Sequence, residues 1–180
     1  MNVYADNAAT TAMSDTALAA MMPCFQDIYG NPSSLHSPGQ RAAEKLAQAR
    51  EIFAARLNGD PREITFTSGG SEADNQALRS AAALGVRRGK KHIISTKFEH
   101  HAILHTLEAL EREGFEVTLL DIPPDGVVTA EQVRSAIRPD TCLVSVMFAN
   151  NEIGTIMPIA EIGAVCRAAG VLFHTDAVQA

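Results

Sequence analysis

The segment "TCLVSVMFANNEIGTIMPIAEIGAVCRAAGVLFHTD" (141–176) contains the pattern that decides the fold. Its first part, 141–148, is a nearly continuous apolar run, which is typical of a strand covered on both faces. A helix is predicted over 158–169, between a proline and a glycine, and a second strand over 171–176. A strand, a helix and a strand in succession form a right-handed crossover with parallel strands.

The same alternation extends upstream to residue 60. Further strands are predicted over 63–67, 92–96 and 116–121, and further helices over 71–88, 99–112 and 129–137, the last with Thr129 as its N-cap. Residues 16–58 differ, because two predicted helices, 16–28 and 40–57, enclose the loop "GNPSSLHSPG" (30–39). The chain is therefore predicted to be α/β, with a mostly parallel sheet flanked by helices.

Composition and charge exclude several classes of protein. The 180 residues are enough for one domain with a core, and a net charge of −6 gives no signature of nucleic-acid binding. The three cysteines include no C-x-x-C pair, so neither a disulfide framework nor a zinc site is indicated. No apolar run reaches the roughly 18 residues of a membrane span. The start, "MNVYADNAATT" (1–11), lacks the features of a signal peptide, so a reducing cytoplasm is expected.

Candidate binding residues follow the predicted strands, where open α/β sheets bind ligands. After the first strand comes "SGGSEADN" (68–75), in which Gly70 allows close backbone approach and Ser71 opens a helix. A helix N-terminus favours an anion, so this turn could cradle a phosphate. The alternative is an ordinary helix cap in which Ser71 and Asp74 form a capping pair. The motifs of P-loops and of dinucleotide-binding turns are absent.

Three histidines follow the strand predicted over 92–96. His100 is predicted in the first turn of a helix at the same sheet edge, where an imidazole could stack on a flat ligand or move a proton. His101 and His105 are four residues apart and could share a helix face, so a metal pair is one alternative. No third ligand stands at a suitable spacing, so solvated or capping histidines are favoured and no metal is expected.

Two further strands end in amide and carboxylate residues. Asn150 and Asn151 follow the longest apolar strand, either as a turn with a left-handed asparagine or as donors to a bound oxygen. Asp176 ends the last strand, and a buried carboxylate there needs a partner such as a cationic ring nitrogen, unless it caps the next turn. Gln179 follows three residues later and could reach the same ligand.

Together these groups match the needs of one cofactor. An anion cradle, an imidazole, an amide donor and a buried acid are all predicted at one sheet edge. Pyridoxal phosphate requires a phosphate site, a ring-stacking group, a donor to its phenolic oxygen and an acid for its ring nitrogen. The acid keeps the ring nitrogen protonated, so that the ring can accept electrons from a substrate.

The motifs "YADNAATT", "GNPSSLHSPGQ", "FTSGGSEADN", "EHHAIL", "ANNEIGT" and "FHTDAVQ" occur here in that order. From residue 3 to its last residue the chain resembles the cysteine desulfurases, which are fold-type I pyridoxal-phosphate enzymes of the class V aminotransferase family. The resemblance implies cofactor-binding residues, which are Gly70 and Ser71 for the phosphate, His100 for ring stacking, Asn151 for the ring oxygen, Asp176 for the ring nitrogen and Gln179 for the phenolic oxygen. His100 would also assist proton transfer, as the catalytic residue.

The resemblance also implies a domain organisation and partners. Residues 1–15 would contribute to a small domain, and 16–180 would form the N-terminal part of the cofactor-binding large domain. The loop around His36 would lie near the active site of a homodimer. The enzyme would convert L-cysteine to L-alanine and pass the sulfur to an enzyme cysteine, for an iron–sulfur scaffold or another sulfur-acceptor protein. Binding to nucleic acid or to a membrane is not expected.

Three elements of the family have no counterpart in these residues: the Schiff-base lysine, the persulfide cysteine and the arginine for the substrate carboxylate. Lys97 matches no Schiff-base position, and Cys142 and Cys166 are predicted to be small core residues. We therefore expect a truncated chain, the N-terminal portion of a longer enzyme, that is inactive alone. The alternatives are a selenocysteine lyase or another class V aminotransferase and, from a different class, a catalytically inactive α/β module that binds an anionic ligand or a partner chain.

Overall fold

The computed structural model describes residues 1–180. The chain divides into two compact units, Met1–Phe66 and Thr67–Ala180. The first unit contains helices α1 (Asp15–Gln26) and α2 (Ser37–Leu57) and a short 3-10 turn. No helix in either unit is both long and apolar enough to cross a membrane. The predicted small-domain role of residues 1–15 stays a prediction.

The second unit is a parallel sheet with helices on both faces. Its elements follow one another as α3 (Gly70–Arg87), β1 (His92–Thr96), α4 (His101–Arg112), β2 (Glu116–Leu120), α5 (Ala130–Ala136), β3 (Thr141–Ser145), α6 (Ile159–Ala168) and β4 (Leu172–His174). The strands lie in the order β2-β1-β3-β4, and every neighbouring pair is parallel. The predicted α/β fold is therefore confirmed, and Thr129 caps α5 as expected.

The sheet buries both of its faces, so its two central strands are buried at every position, including their polar residues. β1 and β3 are buried throughout, and adjacent residues such as Ile93 and Ile94 point to opposite faces. Ile93 packs with Leu78 of α3 and Ile103 of α4 in one cluster. Ile94 packs with Ile162 of α6 in the other cluster. Because all four strands run in the same direction, their carboxyl ends share one edge between these two helix layers.

The predicted strand over 63–67 is wrong. These residues pair with no other strand in the structure. Instead, the Ile64 amide donates to the Pro61 carbonyl at 3.4 Å, and the Arg50 guanidinium donates to the Ile64 carbonyl. Residues with strand propensity form a strand only where a neighbouring backbone supplies the other half of the ladder, and propensity alone does not supply it.

The loop "GNPSSLHSPG" (30–39) is held by close backbone contacts within the first unit. A β-carbon on Gly39 would lie 2.5 Å from the Ser34 carbonyl oxygen, so glycine alone fits there without movement of the loop. His36 is the N-cap of α2, and its Nδ1 accepts a hydrogen bond from the Gly39 amide at 3.3 Å. The His36 side chain thus stabilises a helix start, while its predicted place near an active site stays a prediction.

Candidate functional site

The predicted site residues of the second unit lie at the carboxyl edge of the sheet. β1 leads to His100, β3 leads to Asn150 and Asn151, and β4 leads to Asp176. Since the strands are parallel and adjacent, the turns that follow them come together at one edge. The start of α3 completes this edge.

The N-terminus of α3 is free of a side-chain cap. The helix begins at Gly70, with Gly69 at the cap position and no side-chain hydrogen bond to the cap. A Ser71–Asp74 capping pair is therefore wrong, since Ser71 is the second helical residue and Asp74 is buried along the helix. A β-carbon on Gly70 would lie 2.8 Å from Val178 Cγ2, so the turn after β4 lies against this helix start. The first amides of α3 are available to an anion.

Ser71 and His100 line the same cleft, which has a volume of about 360 Å³. The cleft lies between α3 and α4. His100 is the N-cap of α4, and its Nδ1 accepts a hydrogen bond from the Ala102 amide at 3.1 Å. In the neutral imidazole this bond leaves the proton on Nε2, which can then act as a donor. The start of α3 and the imidazole of His100, which the sequence predicted at one edge of the sheet, therefore line one cleft.

His101 and His105 lie on one face of α4, as their spacing predicted. Their ring centroids are 5.4 Å apart and the ring planes are inclined by 24°. Both residues are exposed, in agreement with the interpretation as solvated histidines. The chain contains no group of three or more His, Cys, Asp or Glu side chains arranged to hold a metal ion.

Asn150 and Asn151 have different environments. Asn150 is buried, and its Oδ1 accepts hydrogen bonds from the amides of Glu152 and Ile153, each at 2.9 Å. Its Nδ2 donates to the Phe98 carbonyl at 3.0 Å, so this side chain is committed to the turn. Asn151 is exposed. Neither asparagine is left-handed, so that part of the turn interpretation is wrong.

Asp176 is a buried carboxylate with only 7% of its surface exposed. Its Oδ1 accepts a hydrogen bond from the Val178 amide at 3.0 Å, and its carbonyl accepts one from the Phe148 amide at 2.8 Å. One carboxylate oxygen therefore caps the turn, as one alternative expected. Gln179 is half-buried in the same turn.

A buried glutamate also lies at this edge, unpredicted from the sequence. Glu99 is 5% exposed, and its Oε1 accepts hydrogen bonds from the Thr96 hydroxyl at 2.6 Å and the Met147 amide at 3.0 Å. Its Oε2 is buried without a partner. Burial, reinforced by the charge of Asp176, raises the pKa of the Glu99 carboxyl to about 7 in spite of its two hydrogen bonds. The available signal was its position directly before His100.

A second unpredicted polar chain connects β3, β4 and α3. His174 Nδ1 lies 2.9 Å from Ser145 Oγ, and its Nε2 lies 3.5 Å from Asp74 Oδ1. The Ser145 carbonyl in turn accepts a hydrogen bond from the Ser95 hydroxyl at 2.9 Å. Because His174 precedes Asp176 by two residues, this chain of polar contacts fixes the end of β4 from which Asp176 projects.

The two buried thiols and Lys97 have structural roles. Burial raises the pKa of the Cys166 thiol to about 11 and raises that of Cys142. Both stay protonated at neutral pH and are poor nucleophiles, and their burial confirms the prediction that they are core residues. Lys97 forms an ion pair with Asp121, the residue that follows β2.

Comparisons with known proteins agree with this fold. The family model for aminotransferase class-V matches residues 3–180. The cysteine desulfurase IscS of Clostridium botulinum (strain Kyoto / Type A2) is 52% identical over 178 residues, which cover 99% of this chain and 45% of that protein. A solved structure described as a NIFS-like protein superposes with a TM-score of 0.94 at 40% identity, covering 100% of this chain and 50% of that one.

Another solved structure, described as SspA in complex with cysteine, superposes with a TM-score of 0.91 at 41% identity, covering 98% of this chain and 51% of that one. The chain spans about half the length of the curated relatives it matches. The motifs, the parallel sheet and a family match over nearly the whole sequence agree with one another. This chain therefore belongs to the aminotransferase class-V family.

Proposed function

We propose that this chain carries the cofactor-binding residues of a cysteine desulfurase, which uses pyridoxal phosphate to convert L-cysteine to L-alanine. Relatives that are 52% and 48% identical are named cysteine desulfurases, and one solved relative is described in complex with cysteine. The single observation that carries the proposal is the Asp176 carboxylate, which is buried directly after β4 at the carboxyl edge of the parallel sheet.

The chemistry of the residues at this edge fits pyridoxal phosphate. The uncapped start of α3 suits its phosphate, because free amides and the helix dipole both favour an anion. A β-carbon on Gly70 would lie 2.8 Å from Val178 Cγ2, so a side chain there would crowd the turn that follows β4. Ser71 and His100 line the cleft between α3 and α4. We assign the phosphate to Gly70 and Ser71 and the face of the ring to His100.

The roles of the remaining residues are assigned from their positions at this edge of the sheet. Asp176 can pair through Oδ2 with a protonated ring nitrogen while its Oδ1 keeps the turn in place. His100 can move a proton at Nε2, because its Nδ1 is held by the Ala102 amide. Asn151 is assigned to the ring oxygen and Gln179 to the phenolic oxygen. Pyridoxal phosphate, when bound, supplies an electron-accepting ring that stabilises negative charge on the substrate.

The same proposal includes the partners that the family resemblance implies. Sulfur from L-cysteine would pass to a cysteine of the enzyme, and from there to an iron–sulfur scaffold or another sulfur-acceptor protein. The enzyme would be a cytoplasmic homodimer. Residues 1–15 would belong to its small domain and 16–180 to its cofactor-binding domain.

Product analysis tests this function. The protein, purified as its gene encodes it, is incubated with pyridoxal phosphate, L-cysteine and a thiol reductant, and alanine and sulfide are measured together. The proposal requires the two products in equal amounts. Amino-group transfer to a keto acid without sulfide would identify an aminotransferase instead, and reaction with selenocysteine but not cysteine would identify a selenocysteine lyase.

A further inference from the structure

Glu99 joins the turns that follow β1 and β3. It lies between β1 and His100, and its Oε1 accepts a hydrogen bond from the Met147 amide at 3.0 Å. The Thr96 hydroxyl at the end of β1 donates to the same oxygen at 2.6 Å. A side-chain oxygen thus takes the place of a backbone acceptor for Met147, beyond the point where the pairing of β1 and β3 ends.

The contacts around this glutamate reach the proposed cofactor site on two sides. His100 is the next residue along the chain. On the other side, the Phe148 amide donates to the Asp176 carbonyl at 2.8 Å, directly after the Met147 amide that binds Glu99. Glu99 is therefore adjacent to His100 in the sequence. Through Met147 it is also bonded to the residue before Phe148, whose amide holds the Asp176 carbonyl.

The geometry of the carboxyl group indicates its protonation state. Both hydrogen bonds go to Oε1, while Oε2 is buried with no partner. An ionised carboxylate in such a place would leave charge on an unsolvated oxygen, which is costly. The titratable groups that act on it are Asp176, which disfavours its ionisation, and His174, which favours it. Burial outweighs His174 and raises the pKa of Glu99 to about 7.

We propose that Glu99 is a positioning residue that works as a neutral carboxylic acid, tying the turn before His100 to the segment that holds Asp176 without adding a second negative charge beside it. The inference rests on the proposed function, because the two residues that it positions are assigned to pyridoxal phosphate. A neutral acid and an amide have the same shape, so Glu99→Gln keeps the acceptor at Oε1. Glu99→Ala removes that acceptor and leaves the Met147 amide buried without it.

The test uses the protein as its gene encodes it, with Glu99→Gln, Glu99→Ala and the control Glu108→Gln, an exposed residue of α4. Infrared difference spectra between wild type and Glu99→Gln at about pH 6 should contain the C=O band of a protonated carboxyl, since that pH lies below the pKa. Wild type minus Glu108→Gln should lack that band. A carboxylate band for Glu99 at that pH would overturn the inference.

Equilibrium dialysis with pyridoxal phosphate gives the second readout. At about pH 6, Glu99→Gln should bind within about twofold of wild type, whereas Glu99→Ala should bind about tenfold or more weakly, because it breaks the two buried hydrogen bonds that hold the segments of His100 and Asp176 together. A Glu99→Gln variant that fails to fold, or that binds as weakly as Glu99→Ala, would contradict a neutral-acid role. If no variant and no wild-type protein binds pyridoxal phosphate, the proposed function fails, while the infrared result still decides the state of Glu99.

Discussion

The replacement Glu99→Gln should change how stability depends on pH. The folded chain holds this proton until the pH reaches about 7, whereas an unfolded glutamate releases it near its ordinary pKa of 4.5. Between these values the folded state binds more protons than the unfolded state, so its free energy of unfolding falls as the pH rises. The contribution of Glu99 is therefore greatest below pH 4.5 and is lost above about pH 7. The amide in Glu99→Gln does not titrate and has no such dependence.

The size of the effect follows from the same two values. At about 1.4 kcal/mol per pH unit, the span from 4.5 to about 7 corresponds to about 3 kcal/mol. Relative to Glu99→Gln, the wild type should thus lose about 3 kcal/mol of its free energy of unfolding between about pH 4.5 and pH 7.5. Glu99 is almost completely buried, so solvent screening reduces this value little.

Urea unfolding at several pH values measures this difference. Titrating groups that do not interact with Glu99 cancel when the two free energies of unfolding are subtracted at each pH, whereas Asp176 and His174 interact with Glu99 and contribute to the difference. The control Glu108→Gln should run parallel to wild type, because Glu108 is exposed. Two outcomes would refute the burial of Glu99 with too few hydrogen bonds to offset the loss of solvation. One is a free energy of unfolding that changes with pH equally in wild type and Glu99→Gln. The other is a wild type that gains stability relative to Glu99→Gln as the pH rises.

Two further predictions concern residues that the structure separates by burial. Asn150→Ala should lower the free energy of unfolding by about 2 kcal/mol or more, because it leaves the amides of the turn unsatisfied. Asn151→Ala should change the free energy of unfolding by less than about 0.5 kcal/mol. Equal urea midpoints for the two variants would contradict this assignment. In the folded protein, iodoacetamide should modify Cys24 well before Cys142 or Cys166, because burial raises the pKa of those two thiols. Peptide mass spectrometry after timed quenching measures the order of modification. Early modification of Cys142 or Cys166 would contradict their burial.

The fold could be predicted from the sequence where a local pattern and a tertiary partner agree. β1 and β3 have apolar, mostly β-branched residues at their centres and are buried on both faces, so the local pattern predicted both strands. The helix starts were also predictable, since Thr129 caps α5 as its position suggests. The segment 63–67 has the same strand propensity but no neighbouring strand in the structure, and sequence patterns do not contain that information.

The site was predictable only in part, for a related reason. Asp176 could be found because an acid that ends an apolar strand is unusual and requires a partner. Glu99 was missed because its burial depends on the Met147 amide, which is 48 residues away in the chain. Asp74 was misassigned to a helix cap because its contact with His174 is also between distant segments. Spacing rules describe neighbours on one element and do not identify such long-range pairs.

The most direct test of the central claim is the affinity for pyridoxal phosphate of two matched aspartate variants. Asp125 makes the same local turn as Asp176, since its Oδ1 accepts a hydrogen bond from the amide two residues on, Val127, at 3.1 Å. Both replacements by asparagine keep that acceptor, but only Asp176→Asn removes a buried charge from the proposed site. Equilibrium dialysis should show Asp125→Asn binding like wild type and Asp176→Asn binding about tenfold or more weakly, as for a lost charge-assisted hydrogen bond. Equal affinities for the two variants would contradict the claim that Asp176 holds the cofactor.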